Sequence, residues 1–323
     1  MIVVLAGGVG AARFLRGLVR VVDPAGITVV VNTGDDTVMH GLHISPDLDT
    51  VTYTLAEAID PERGWGLREE SWRVMESLRR YEGVRPDGSE AAGTWFNLGD
   101  RDLATHLYRS ARLREGAALS TVTAEITAAW EVPVRVLPMC DEPVATMVDV
   151  VIRDESVTVP FQDYFVRHRH SIPVSGVTFV GSERATPTFL DLLDHAEVVI
   201  VAPSNPIVSL GPIRALPGVD DALRRNRSRT VAISPIVAGA ALKGPADRML
   251  RELGHDASVV GVARLYAGIA STLVIDESDI ALLGAVTGVG MDCLATPTIM
   301  RDIETTTRLA TTVLDAVRTG GRT

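Results

Sequence analysis

The chain opens on an unbroken apolar run, Ile2–Ala6, which predicts a strand covered on both faces. Gly7-Gly8-Val9-Gly10 follows, and then Phe14, Leu15, Leu18 and Val19 recur at helical spacing. A second buried strand is predicted at Ile27–Val31, running into Asn32-Thr33-Gly34-Asp35-Asp36. Strand, helix and strand in that order make a βαβ unit, which implies a parallel sheet joined by right-handed crossovers.

From about residue 49 to 130 helical spacing replaces the strand pattern, with helices predicted over 49–59, 69–81, 102–114 and 120–130. Ser120, Thr121 and Thr123 are candidate caps for the last of them. Residues 83–93, with Pro86-Asp87-Gly88-Ser89, read as an exposed loop. Strands resume at 134–137, 147–152 and 156–160, and the stretch of about 140–181 reads as a small accessory β-rich unit. The α/β alternation then returns. Helices are predicted at 187–193 and after Gly211-Pro212, and strands at 197–202, 230–234, 258–262 and 272–275; an amphipathic helix over 302–318 closes the chain. The expected fold is α/β: a doubly wound, Rossmann-like, mainly parallel sheet. It is read as one domain over 1–323, with a helical insertion at about 49–130 and the accessory unit at about 140–181.

Composition narrows the class. The chain has 323 residues, 46% of them hydrophobic and 22% charged, enough apolar material for one large core. The run at 1–6 is stopped by Gly7-Gly8 and that at 198–202 by Pro203, far short of the roughly 20 residues that span a bilayer. No secretory signal pattern precedes the first run, so a soluble cytoplasmic protein without membrane contact is expected. Two cysteines, Cys140 and Cys293, read as free thiols of a reducing compartment. A net charge of -10 opposes general nucleic-acid binding, while leaving room for a local basic pocket that takes a phosphorylated small molecule.

Glycines between a buried strand and a helix let backbone N–H groups approach a phosphate, helped by the helix dipole. Gly7, Gly8 and Gly10 are therefore candidate phosphate-binding residues. The nicotinamide dinucleotide fingerprint fails: counted from Gly8 its sixth position is Arg13, and the acidic ribose-binding position holds Asn32. No Gly-Lys-Ser/Thr follows, so the Walker pattern fails too. Arg13 suits contact with phosphate, or is an exposed helical charge.

Asp35 and Asp36 follow the second strand, and Asp47 and Asp49 open the next helix within Ser45-Pro46-Asp47-Leu48-Asp49-Thr50. Two readings stand: Asp47 or Asp49 as a helix N-cap, or the four carboxylates as a site for a hard cation such as magnesium. Asp102 and His106, four apart, share a helix face. Ser204 and Asn205 follow another buried strand, where ligands bind in open α/β sheets and where they can line the nucleoside end of a ligand.

Taken in order, Gly7-Gly8-Val9-Gly10-Ala11-Ala12-Arg13, Asn32-Thr33-Gly34-Asp35-Asp36, Ser45-Pro46-Asp47-Leu48-Asp49-Thr50, Trp95-Phe96-Asn97-Leu98-Gly99-Asp100-Arg101-Asp102-Leu103-Ala104-Thr105-His106 and Ala202-Pro203-Ser204-Asn205-Pro206 closely resemble the 2-phospho-L-lactate transferase family of coenzyme F-420 biosynthesis. Gly64-Trp65-Gly66, Leu137-Pro138-Met139 and Ser234-Pro235-Ile236 extend the resemblance nearly end to end. Actinobacterial members of the family are called phosphoenolpyruvate transferases. The resemblance implies a magnesium-dependent transferase of a substituted phosphate group. Its donor is a guanosine diphosphate conjugate of 2-phospholactate, enolpyruvyl phosphate or a related three-carbon acid. The acceptor is the ribityl hydroxyl of the deazaflavin Fo, and GMP leaves. It also implies Fo contacts by Asp49 and at the Asn97 position, where the family often has a basic residue, and a homodimer. Magnesium on Asp35, Asp36, Asp47 and Asp49 would neutralise the diphosphate, the glycine turn would hold it, and Asp49, with Asp47 beside it, could orient or deprotonate the acceptor hydroxyl. The rival class is a non-catalytic nucleotide-sugar-binding regulator, since a related family of metabolic control factors shares the Gly-Gly-x-Gly opening.

Overall fold

The computed structural model describes residues 1–152 and 155–320. Its first third runs β1 (Ile2–Ala6), α1 (Val9–Leu18), β2 (Ile27–Val31), the hairpin β3 (Thr37–Met39) and β4 (Leu42–Ile44), α2 (Pro46–Leu55), α3 (Arg73–Leu78) and α4 (Asp102–Arg114). There follow α5 (Leu119–Ala129), β5 (Arg135–Pro138), β6 (Ala145–Ile152), β7 (Glu155–Pro160), β8 (Val174–Val180), α6 (Leu190–His195), β9 (Val198–Val201), α7 (Gly211–Arg214) and α8 (Val219–Arg225). The last third holds β10 (Thr230–Ile233), the short hairpin β11 (Ile236–Val237) and β12 (Ala240–Ala241), and α9 (Ala246–Glu252). It ends with α10 (Val259–Tyr266), β13 (Thr272–Ile275), α11 (Leu283–Gly288), β14 (Asp292–Ala295) and α12 (Ile303–Gly320).

Seven strands form one sheet in the order β14-β13-β10-β9-β1-β2-β5, and every pairing in it is parallel. From β1 the chain winds outward through β2 and β5, then restarts at β9 on the other side and winds away from it. The topological switch point therefore lies between β1 and β9, where α/β sheets open a ligand crevice at the carboxyl ends of their strands.

Alternation along the strands explains the layers. Val3 and Leu5 pack on one face with Val199, Val201 and helices α6, α7, α8 and α10. Val4 and Ala6 pack on the other with Val29, Val31, Ile200 and helices α1, α2 and α12. Burying each such Val or Leu contributes roughly 1.5–3 kcal/mol, so covering both faces of the central strands dominates the core. Helix α12 lies tight on α1: a Cβ at Gly17 would stand 2.5 Å from the Thr306 carbonyl oxygen.

The accessory region forms a separate antiparallel sheet, β7-β6-β8. Thr146 at its start docks on the turn after β2, where its N–H donates to the Gly34 carbonyl at 2.7 Å. A Cβ at Gly34 would come within 2.7 Å of Thr146 Oγ1 and 2.8 Å of Pro212 Cβ, which accounts for a glycine there.

Several sequence expectations change. Residues 258–262 belong to a helix, not a strand: Ser258 caps α10 by accepting from Val260 and Gly261 N–H groups, at 3.2 and 3.3 Å. Helix α2 starts at Pro46 with Ser45 at its N-cap, so neither Asp47 nor Asp49 caps it; both stand in its first turn. Helix α5 begins at Leu119 without a cap from Ser120, Thr121 or Thr123, because Asp141 reaches in and accepts from Ser120 N–H at 2.6 Å. The helix expected over 69–81 shortens to α3 plus a 3-10 turn at Arg79–Tyr81. Cys140 and Cys293 are free thiols, the former buried. Among the described residues no helix is long and apolar enough to cross a membrane.

Candidate active site at the switch point

The turn between β1 and α1 is built around close backbone approach. Its Gly7 N–H donates to Ser204 Oγ at 3.1 Å, tying the end of β1 to the segment after β9. A Cβ at Gly7 would meet Ser209 Cβ at 2.4 Å, and one at Gly10 would lie 2.1 Å from the Pro203 carbonyl oxygen. Gly8, at the N-cap of α1, faces the acidic side: a Cβ there would stand 2.6 Å from Asp47 Oδ1. No side chain caps α1, so its first N–H groups face the crevice without a side-chain acceptor. Arg13 reaches toward the loop at Gly64.

Asp35, Asp36 and Asp47 form one electrostatic group. Asn32 organises it: its Nδ2 donates to Asp47 Oδ2 at 3.1 Å while its Oδ1 accepts from Gly34 N–H at 2.9 Å. Asp36 Oδ2 accepts from Ser45 Oγ at 2.6 Å and lies 3.0 Å from His43 Nε2. The accessory region closes over Asp35, whose carbonyl accepts from Gln162 Nε2 at 3.2 Å. Burial, then the charge of Asp47, pushes the Asp35 carboxyl well above the usual carboxylate range. Burial also raises Asp36 against the opposing pull of His43 and Ser45, and pushes Asp47 up to about 7. The buried Oδ1 atoms of Asp35 and Asp36 have no hydrogen-bond partner in the protein. Thr146 and Asn32 offset part of the burial of Asp35, and buried carboxylate oxygens short of donors are costly unless a proton or a cation meets them.

Asp49 has a different setting. Arg109 grips both of its oxygens, with Nη1 donating to Oδ2 at 3.1 Å and Nη2 donating to Oδ1. His106 stands between two acids, its Nδ1 3.6 Å from Asp49 Oδ2 and its Nε2 3.4 Å from Asp102 Oδ2. Tyr53 OH donates to Asp102 Oδ1 at 2.5 Å. Burial alone would raise Asp102, but the hydrogen bond and charge of His106 outweigh it and hold this carboxyl low. Asp49, His106 and Arg109 are 5%, 1% and 2% exposed, so this cluster is enclosed by protein. Asp49, Asp102 and His106 stand close enough to share a metal ion, yet the guanidinium already compensates Asp49.

The four aspartates expected together therefore divide. Asp35, Asp36 and Asp47 gather at the glycine turn, and Asp49 joins Arg109 and His106 behind them. Arg109 links the two parts, because its charge also acts on Asp36. Ser204 spends its hydroxyl on Gly7, and Asn205 closes its own turn by accepting from Ile207 N–H at 2.9 Å. Asn97 is exposed in the loop before α4, next to Trp95 and Phe96, whose rings meet edge-on at 5.9 Å and pack on Met39, Ile44 and Leu98. Sequence reasoning did not find Arg109, His43 or Ser45 as partners; the one available signal was that His106 and Arg109 share a buried helix face with Thr105 and Ser110.

Residues 2–283 match the family model described as 2-phospho-L-lactate transferase CofD. A phosphoenolpyruvate transferase of Streptomyces griseus is 42% identical over 317 residues, covering 97% of each chain. One of Mycolicibacterium smegmatis is 41% identical over 334 residues, covering 97% of this chain and 98% of that one. Among solved structures, the protein BH3568 of Bacillus halodurans, described as a member of the UPF0052 family, matches with a TM-score of 0.61 at 16% identity, over 97% of this chain and 98% of that chain. At that identity the structural likeness speaks for the Rossmann-like fold, while the family rests on the sequence matches. On those matches the chain belongs to the 2-phospho-L-lactate transferase CofD family and is a transferase of coenzyme F-420 biosynthesis.

Proposed function

We propose that this protein transfers a phospho-three-carbon-acid group from its guanosine diphosphate conjugate to the ribityl hydroxyl of the deazaflavin Fo, releasing GMP. The observation that carries the reading is a group of three mutually interacting carboxylates of which Asp47 abuts a phosphate-type turn, its Oδ1 only 2.6 Å from where a Cβ on Gly8 would be. Carboxylates so close to a phosphate site repel it unless a cation stands between them. Among the described residues Asp35, Asp36 and Asp47 do not bring their oxygens within ligand distance of one another as a threesome, so one or two of them would hold magnesium together with water and the donor's phosphates. Bound there, magnesium would supply neutralising charge for the diphosphate.

The protein's own groups supply positioning. Gly7 and Gly10 let the segment after β9 pack against the turn, Gly8 faces the acidic side where the diphosphate would lie, and the free N–H groups of α1 supply its donors. The segment at Ser204 and Asn205 shapes the nucleoside side mainly through its backbone. Asp49, enclosed and held on both oxygens by Arg109, positions the start of α2 from behind, and Asp47, half-buried beside the glycine turn, is the carboxylate open to the acceptor hydroxyl and able to orient it for in-line attack. Trp65 is 43% exposed and packs against Trp72 at 6.0 Å between ring centroids, with the Arg63 guanidinium over both rings at 5.6 and 5.4 Å. This patch offers a flat surface for the deazaflavin ring, as Asn97 offers a polar contact.

The direct experiment incubates the protein with Fo, magnesium and each guanylylated three-carbon acid, and weighs the products. The expected result is a phospho-acid adduct of Fo together with GMP, lost when magnesium is chelated. Absence of Fo binding by fluorescence titration, together with tight binding of a UDP-sugar, would overturn the reading in favour of a regulator.

A further inference from the structure

Of the 31 Lys and Arg residues in the sequence, one is a lysine, Lys243, and it stands beside the glycine turn. It follows the β11–β12 hairpin, on the loop side of β10, and thus at the carboxyl edge of the main sheet. Three groups converge on Gly64: the point where its Cβ would sit lies 3.1 Å from Lys243 Nζ, 3.6 Å from Arg13 Nη2 and 3.7 Å from Val9 Cγ1. Gly64 itself adopts φ +73, a conformation that favours glycine. An L side chain there would be strained and would also press into the two cationic ends.

Two like charges converging on one point is an unfavourable arrangement in the free protein. Partial burial and the neighbouring Arg13 charge both lower the Lys243 ammonium below its ordinary value, and no carboxylate acts on it in the opposite sense. Arg112 is met by Glu115 and Glu125, and Arg214 by Asp220. Arg13 and Lys243 have no such partner among the described residues. An anion from outside the chain would relieve that repulsion.

We propose that Lys243 and Arg13 form a two-cation clamp that grips an oxyanion of the donor. This rests on the transferase reading above and adds Lys243 as a donor-binding residue. Two oxyanions of the donor have the required chemistry, its phosphates and the carboxylate of its three-carbon acid. Lysine is a compact point charge that suits either, and Arg13 adds a planar fork beside it.

Because Lys243 is the single lysine, one peptide reports it. Native protein is treated with pyridoxal phosphate and borohydride, and the label at Lys243 is followed by mass spectrometry with and without GDP, guanosine or inorganic pyrophosphate. Protection by GDP with magnesium and by pyrophosphate, but not by guanosine, is expected. In parallel, calorimetry compares GDP binding by wild type, K243Q and K243R. A loss of about tenfold in K243Q, largely restored in K243R, supports a phosphate contact. A K243Q variant that binds GDP normally but raises KM for the acid-bearing donor, again restored by K243R, assigns the clamp to the acid's carboxylate. Unchanged GDP affinity and donor KM in K243Q, with labelling that no anion slows, would overturn the proposal. Pyrophosphate protection in a wild-type protein that does not bind GDP would instead sink the guanosine-donor reading and leave the anion clamp standing.

Discussion

Arg109 and Asp49 form a buried two-pronged ion pair that joins the middle of α4 to the first turn of α2. The pair fixes the orientation of a carboxylate 60 residues away in sequence and couples the helical insertion to the acidic turns. Burying two ions costs several kcal/mol of desolvation, so this arrangement is tolerable only while both partners are present.

Removing either partner should therefore destabilise the fold as well as the activity. Arg109→Met strands the Asp49 charge, and a loss of about 3–5 kcal/mol is expected in urea unfolding at neutral pH. The double variant Arg109→Met with Asp49→Leu should recover much of that loss. A single-variant cost below about 1 kcal/mol would mean that water reaches the pair. Asp49→Ala strands Arg109 in the same way, so its loss of turnover has to be judged beside its unfolding midpoint.

The glycines of the turn should separate by what they face. Gly10→Ala drives a Cβ to 2.1 Å from the Pro203 carbonyl, a backbone atom that cannot rotate away, and should cost about 1–3 kcal/mol of stability. Gly8→Ala meets only Asp47 Oδ1, the end of a side chain. It should keep the unfolding midpoint near wild type while weakening GDP–magnesium binding. Equal stability losses in the two variants would contradict this division.

Acidic burial sets a pH dependence. The Asp47 carboxyl rises from its ordinary value near 3.8 to about 7, and Asp35 rises as well, both chiefly through burial. A raised folded-state value means the folded protein holds protons that the unfolded chain has released. That contribution to stability is complete below the unfolded value and is lost as pH climbs to about 7 and beyond. Unfolding of the metal-free protein should thus show a falling contribution between pH 4 and 8, which Asp47→Asn flattens. Magnesium should reverse the trend at the alkaline end, because cation binding competes with those protons.

Ser204→Ala should strand the Gly7 N–H and cost about 1–3 kcal/mol in thermal or urea unfolding. Since the hydroxyl serves the backbone, the ratio of GDP to ADP affinity should stay unchanged. A collapse of that ratio would show that Ser204 reads the base.

The sequence already exposed the β1–turn–α1 unit and the parallel alternation, because continuous buried strands and a helical stripe leave distinct patterns. Helix α10 was hidden by the reverse condition. Val259, Val260, Gly261, Val262 and Ala263 are all buried, so no polar face marks the helical period, and only the Ser258 cap distinguishes it from a strand. The β3–β4 hairpin, three residues a side, is too short to leave a period. The acidic residues of the site were legible from their positions after a strand and at a helix start. Their division was not, since it depends on Arg109, Thr146 and Gln162 arriving from distant segments. Nothing in local spacing joins Lys243 to Gly64.

The bond from Gly7 to Ser204 spans 197 positions. During translation the glycine turn leaves the ribosome long before β9 and the serine that locks it, which follows 197 positions later. Such long-range pairing raises contact order and slows folding, because loop closure precedes any reward from packing. An N-terminal fragment would carry every signature of a phosphate turn and still lack its floor. The floor of the turn is thus acquired late in biosynthesis, and the finished turn certifies that the two halves of the sheet have met.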